Sequence, residues 1–197
     1  MMPLSMALRC SSLLIVGGLV TSSLVPSHAW AGITTRVSVS STGVPGQGGS
    51  ANPSLSADGR FVAFASATSN LVTGDTNNMD DIFVRDRDAD SNGILDEPGG
   101  TTTRRVSVSS SGVQANERSF SPSLSADGRF VAFTSTASNL VDGDTNDRMD
   151  VFVHDRDADG NGILDEAGGI ATVRVSVSSS GVQANDHTFD SRLSADG

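Results

Sequence analysis

The sequence predicts an all-β protein made of repeated units of four antiparallel strands, and three observations predict it. The chain repeats itself every 69 residues, no segment after Gly32 has helical apolar spacing, and short apolar runs alternate with Asp-Gly, Ser and Thr turn signals. Arg36-Val37-Ser38-Val39-Ser40 returns as Arg105 to Ser109 and again as Arg174 to Ser178. Ser56-Ala57-Asp58-Gly59 returns at Ser125 and Ser194, and Asn52–Gly100 matches Ser121–Gly169 at 37 of 49 positions. Residues 32–197 therefore hold about two and a half repeats, the third stopping at Gly197 inside its turn.

Residues 1–31 precede the repeats. Arg9 is a positive n-region, Leu13 to Val25 form an apolar stretch interrupted by Gly17 and Gly18, and Ala29-Trp30-Ala31 has the small-x-small form of a cleavage site. These features predict a secretory signal peptide, a mature start at Gly32 and a periplasmic or extracellular location. The apolar run is too short for the roughly 20 residues of a membrane span. Cys10, the chain's one cysteine, would leave with the signal, so disulfides cannot brace the exported part.

Within a repeat, Pro53-Ser54-Leu55-Ser56 is expected as the first strand and Ala57-Asp58-Gly59 as a hairpin turn. Phe61 to Phe64 and Ile82-Phe83-Val84 are expected as strands covered on both faces. Val106 and Val108, alternating with Arg105, Ser107 and Ser109, predict an outer strand with one wet face. Four short strands per unit describe a β-propeller blade, which buries both faces only when neighbours stack on it.

Ser56-Ala57-Asp58-Gly59-Arg60-Phe61-Val62-Ala63-Phe64, followed by Asp81-Ile82-Phe83-Val84-Arg85-Asp86, resembles the TolB-type, WD40-like β-propeller repeats of bacterial exported proteins. The resemblance spans Gly32 to Gly197 and implies a binding or scaffold module. The 69-residue unit exceeds the ~40–45 residues usual for such blades.

Part of that excess is an acidic loop, Asp86-Arg87-Asp88-Ala89-Asp90-Ser91-Asn92-Gly93-Ile94-Leu95-Asp96-Glu97, with its copy Asp155 to Glu166. Alternating oxygen ligands with a glycine turn are what a hard cation such as Ca²⁺ requires. Two registers fit. Starting at Asp155, the second copy has acids at positions 1, 3 and 5, Gly160 at 6 and Glu166 at 12, whereas the first copy has Ser91 in place of the glycine. Starting at Asp88 or Asp157, both copies place Asn92 or Asn161 at 5, Gly93 or Gly162 at 6, an inward Leu95 or Leu164 at 8 and Asp96 or Asp165 at 9. The second register serves both copies and is preferred. The candidate ligands are Asp86, Asp88, Asp90, Asn92, Asp96 and Glu97, with Asp155, Asp157, Asp159, Asn161, Asp165 and Glu166. The loops resemble calcium loops of dockerins and FG-GAP propellers. The plainer alternative is a polar hairpin whose Asp, Asn and Gly only turn the chain. Ten of the 23 acids lie in these two loops.

Gly74-Asp75-Thr76-Asn77 and its copy at Gly143 are expected as Asx-turns. Arg36, Arg105 and Arg174 are expected to pair with acids, and His154 and His187 to be exposed and polar. No catalytic constellation emerges, so the chain is not expected to be an enzyme by itself. With net charge −10 and no lysine, a nucleic-acid backbone or basic membrane patch is excluded as a mode of binding. The expected function is an exported binding or scaffold module for an unknown protein or extracellular ligand. The alternatives are the front of a longer exported hydrolase and a structural or adhesive repeat array. If the chain is complete, an exposed strand edge predicts self-association.

Overall fold

The computed structural model describes residues 34–197; the signal segment, with Arg9, Cys10, Ala29–Ala31 and Gly32, lies outside the described residues. The described chain is all-β, with two four-stranded antiparallel sheets and no helix. The first sheet has the order β1 (Ser50–Leu55), β2 (Phe61–Ser66), β3 (Asp81–Asp86) and β4 (Thr102–Arg105). The second has the order β5 (Ser119–Leu124), β6 (Phe130–Ser135), β7 (Asp150–Asp155) and β8 (Ala171–Arg174). Among the described residues no helix is long and apolar enough to cross a membrane.

The central strands form where expected. All six residues of β2 and of β3 are buried, as an apolar run covered on both faces should be. Their pairing is regular from Phe61↔Asp86 to Ser66↔Asp81. The β1–β2 pairing shifts register between Ala51 and Ser54, where Asn52 takes φ +53°. Ser121 (+54°) in β5 bends the chain the same way, as does Asp190 (+55°) near the C-terminus. The Ser56–Arg60 turn is closed by Asp58, whose Oδ1 accepts the Ser56 hydroxyl at 2.6 Å and the Arg60 amide at 3.0 Å.

The outer strand differs from expectation. It ends at Arg105, and Val106, Ser107 and Val108 are all buried, so the predicted wet face does not exist. Side-chain chemistry explains the displacement. The Val106 amide still reaches the Ile82 carbonyl at 2.8 Å, but the next rung is made by the Ser107 hydroxyl, which accepts the Ile82 amide at 3.1 Å and donates to Asp81 at 2.5 Å. The backbone is thereby freed to cross to the second sheet. There Thr172 Oγ1 donates to the Val108 carbonyl at 2.6 Å, and the Thr172 amide reaches Ser110 Oγ at 2.9 Å.

The main core lies between the sheets. Phe61, Ala63, Ile82 and Val84 of the first meet Leu124, Val131, Phe133 and Phe152 of the second, with Val106 and Ala115 of the crossing segment among them. A smaller cluster of Phe64, Phe83 and Leu71 covers the other face of the first sheet. Polar rungs tie the stack: the Leu124 amide reaches Ser54 Oγ at 2.9 Å and the Ala57 amide reaches the Ala126 carbonyl at 2.8 Å. The same two rungs recur on the second sheet, from Leu193 to Ser123 Oγ at 3.0 Å and from Ala126 to the Ala195 carbonyl at 2.9 Å.

Candidate metal centre

Each acidic loop springs from the end of a buried strand, which fixes its first carboxylate. Asp86, closing β3, accepts both Nε and Nη2 of Arg60 at 2.8 Å, because the β2–β3 register sets Phe61 opposite Asp86. Asp155 accepts Arg129 in the same fork at 2.7 and 2.8 Å. That guanidinium holds the Asp155 carboxyl below the usual carboxylate range, against the opposing effect of burial.

A second arginine engages a second candidate. Arg87 directs Nε and Nη2 at Asp96 Oδ2, at 3.0 and 2.6 Å, and Arg156 grips both oxygens of Asp165 at 2.9 and 2.5 Å. Arg156 also donates to the Gly128 carbonyl at 2.7 Å and lies over the Phe61 ring at 4.9 Å, which ties the second loop to the first sheet.

The remaining candidates converge. Asp88 closes the loop: its Oδ1 accepts the Asn92 amide at 2.9 Å and its Oδ2 the Gly93 amide at 3.0 Å. Asp157 takes the Asn161 amide at 2.9 Å and shares the Gly162 amide between both oxygens at 3.2 Å. Asn92 Nδ2 faces both Asp90 and Glu97, and Asn161 Nδ2 faces both Asp159 and Glu166. The two carboxylates meet above a buried glycine. A Cβ on Gly100 would fall 3.0 Å from Glu97 Oε1 and 3.2 Å from Asp90 Oδ1, and on Gly169 3.1 Å from Glu166 Oε1 and 3.3 Å from Asp159 Oδ1. The structure thus brings Asp90, Asn92 and Glu97 together in one loop and Asp159, Asn161 and Glu166 in the other, turns Asp88 and Asp157 to the backbone amides of their own loops, and sets Asp86, Asp96, Asp155 and Asp165 against arginines. Among the described residues, no three His, Cys, Asp or Glu side chains form a ready-made metal cluster.

Ser91 at φ +57° and Gly160 at +70° occupy the same left-handed turn, so serine there does not change the path of the loop. Leu164 packs against the main core, the inward role expected of position 8.

The other singled-out residues divide. Arg105 lies 3.5 Å from Asp75 and 3.6 Å from Asp81, and Arg174 lies 3.1 Å from Asp144 and 3.5 Å from Asp150, as expected. Arg36 instead bonds Ser38 Oγ and the Gly46 carbonyl, each at 3.1 Å. Asn77 makes the expected Asx-turn, its Oδ1 accepting the Met79 amide at 3.0 Å, while Asp75 turns to Arg105 and Gln114.

His154 is not exposed. It replaces Arg85 beneath the outer strand, with Nδ1 2.8 Å from Thr172 Oγ1, and desolvation pushes its pKa down to about 4. Arg85 answers the same burial with three donors, to Ser40 O, Thr103 Oγ1 and Thr101 Oγ1, at 3.1, 3.0 and 2.8 Å. His187 is exposed, and its Nδ1 accepts the Met149 amide at 3.0 Å. A groove of about 840 Å³ runs beside the second acidic loop, lined among others by Ser41, Gln47, Asn70, Arg104, His154 and Glu166. No protein-family model matches the chain, and no curated protein matches it.

Proposed function

We propose that the chain is a run of propeller blades in an exported protein, each 69-residue unit one blade, and that it serves as a binding or scaffold module whose acidic loops bind Ca²⁺. The observation that supports the metal reading is the pair of carboxylates, Asp90 with Glu97 and Asp159 with Glu166, each with an oxygen beside the same face of Gly100 or Gly169 and each bonded to the Asn92 or Asn161 amide in both loops. The Asn92 or Asn161 Nδ2 donor offsets part of the repulsion between the two carboxylates, and a cation seated between them would offset more. Asp88 and Asp157 support the register that begins with them. Each uses its carboxylate to bend the chain at positions 5 and 6, which turns the Asn92 or Asn161 side chain toward the same space. Asp86, Asp96 and their counterparts act in this reading as arginine-fixed anchors around the carboxylates of Asp88, Asp90 and Glu97, which Asn92 joins as a ligand only when its amide rotates to present Oδ1, the atom that here accepts the Ile94 amide at 2.8 Å. Oxygen-only ligands suit Ca²⁺ over softer metals.

The blade reading is supported by the matched sheets and by the polar rungs that pass from one sheet to the next and then to Ala195. The TolB-type resemblance and export by the first 31 residues belong to the same proposal. The test is a thermal melt of the 32–197 protein with millimolar Ca²⁺ and with chelator. A ligand at about 100 times its Kd adds about 2.7 kcal/mol, so calcium raises the Tm and chelator lowers it. An identical melt in both would refute the metal reading.

A further inference from the structure

The two repeats differ at a buried position beside the groove that runs between them. In the first, Arg85 sends its guanidinium to the Ser40 carbonyl, Thr103 Oγ1 and Thr101 Oγ1. In the second, 69 residues on, Thr172 stands for Thr103, but His154 stands for Arg85 and Ile170 for Thr101. An imidazole is shorter than an arginine side chain, so the place that a guanidinium takes in the first repeat opens here into the groove of about 840 Å³, which His154 and Ile170 line. The hydrogen bonds fix which ring nitrogen carries the proton. Thr172 has one hydroxyl proton and donates it to the Val108 carbonyl at 2.6 Å, as Thr103 donates to the Val39 carbonyl at 2.7 Å. Thr172 Oγ1 can then only accept from the ring, so His154 Nδ1 is the donor at 2.8 Å, and the desolvated, uncharged imidazole keeps a bare lone pair at Nε2. His154 is 1% exposed, and its Nε2 has no hydrogen-bond partner among the described residues. A buried acceptor that faces a groove calls for a donor from whatever fills the groove.

We propose that this groove is a binding site for a guanidinium group, which enters beside His154 and donates to Nε2 in the place that Arg85 fills from within in the first repeat. Three features select the ligand. The first repeat shows that a guanidinium fits between these strands, with the loop carbonyl of Ser40 as one acceptor, and Ser109 supplies the equivalent carbonyl in the second. The acceptor at Nε2 requires an N–H donor, which a guanidinium offers in a planar fork. Asp165 and Glu166 line the same groove, and the net charge of −10 draws cations to the chain. The groove's own cations leave that end to the ligand: Arg105 is engaged by Asp75 and Asp81, and Arg104 is exposed on β4 of the first sheet. Its volume falls within the roughly 300–1,000 Å³ of small-molecule sites. A free guanidino acid and the arginine side chain of a partner protein share this chemistry.

The inference rests on the groove alone and is independent of calcium. Its test is nuclear magnetic resonance of the 32–197 protein with isotope-labelled imidazole nitrogens, in chelator, titrated with millimolar arginine, with arginine blocked at both ends, and with lysine. Before any addition, His154 shows a protonated Nδ1 and an unprotonated Nε2. Arginine moves the Nε2 signal of His154 and leaves the exposed His187 in place. An equal response to blocked arginine assigns the site to a partner's side chain, and a response to free arginine alone assigns it to a small guanidino acid. Lysine, without the fork, binds about tenfold more weakly. The double substitution His154→Arg with Ile170→Thr rebuilds the first repeat's internal guanidinium, keeps the melt, and weakens arginine binding about tenfold or more. An unprotonated Nδ1 in the parent, no response to either form of arginine, lysine as effective as arginine, or undiminished binding in the folded double variant would each overturn the proposal.

Discussion

Val106 and Val108, in the segment that leaves the first sheet, are 0% and 6% exposed; Val175 and Val177, at the same place after the second sheet, are 47% and 39% exposed. The local sequence is Arg-Val-Ser-Val-Ser in both, and the hydrogen bonds to the sheet behind are alike: Ser107 to Asp81 and Ser176 to Asp150, each at 2.5 Å. What differs is the sheet in front. Burial in this protein is set by the stacked neighbour, while the local path of the chain is set by side-chain bonds to its own sheet.

The largest expected effect tests that comparison. Val106→Asp places a charge without a partner in the inter-sheet core and costs more than about 3 kcal/mol, whereas Val175→Asp changes stability by under about 0.5 kcal/mol. Chemical denaturation of both variants checks this, and equal losses would break the comparison.

The glycine turns give a second, smaller contrast. Gly59 and Gly128 both have positive φ, +72° and +79°, but a Cβ on Gly59 meets only Arg87 Nη1 at 3.9 Å, whereas on Gly128 it falls 2.2 Å from the Phe61 ring. The Phe61 ring is packed by the guanidinium groups of Arg60 at 4.8 Å and Arg156 at 4.9 Å, so moving it aside disturbs both contacts. Gly59→Ala therefore loses about 1 kcal/mol from backbone strain, and Gly128→Ala loses that plus roughly 1–3 kcal/mol from overpacking. Melting the two variants side by side reads the difference.

A subtler contrast is in pH response. Burial raises the Asp81 carboxyl to about 6 in the first sheet and lowers His154 to about 4 in the second. For Asp81, raised above its ordinary 3.8, the stabilising contribution is present below pH 4 and is lost as pH rises through 6. For His154, lowered from 6.5, the contribution is present above pH 6.5 and is lost as pH falls toward 4. The two oppose each other between pH 6.5 and 4. Asp81→Asn therefore makes the loss of stability on acidification from neutral pH steeper, and His154→Gln makes it shallower. Denaturation midpoints measured across that range check both signs, and parallel curves for all three proteins would contradict them.

These contrasts also explain how much the sequence revealed. The central strands were legible because Phe61–Phe64 and Ile82–Val84 are apolar runs between strong turn signals. The outer strand was misplaced because Val106 and Val108 alternate correctly for a strand, yet the Ser107 hydroxyl replaces the backbone rung and releases the chain. His154 was misjudged because polarity was read without knowing what packs over it. In the loops, the turn at Asp88 was readable from spacing, but the capture of Asp86 by Arg60 was not. Those residues are 26 apart and meet only through the β2–β3 register. The signal that could have found the pair is positional, since Arg60 opens one strand of a hairpin pair and Asp86 closes the other.

The most direct test of the account is calorimetric titration of Ca²⁺ into the 32–197 protein, alongside the Asp88→Asn and Asp157→Asn variants. Two ions bind per chain in the parent and one in each variant, with Asp86 and Asp96 remaining paired to their arginines. No heat of binding in the parent, or unchanged stoichiometry in both variants, would contradict it.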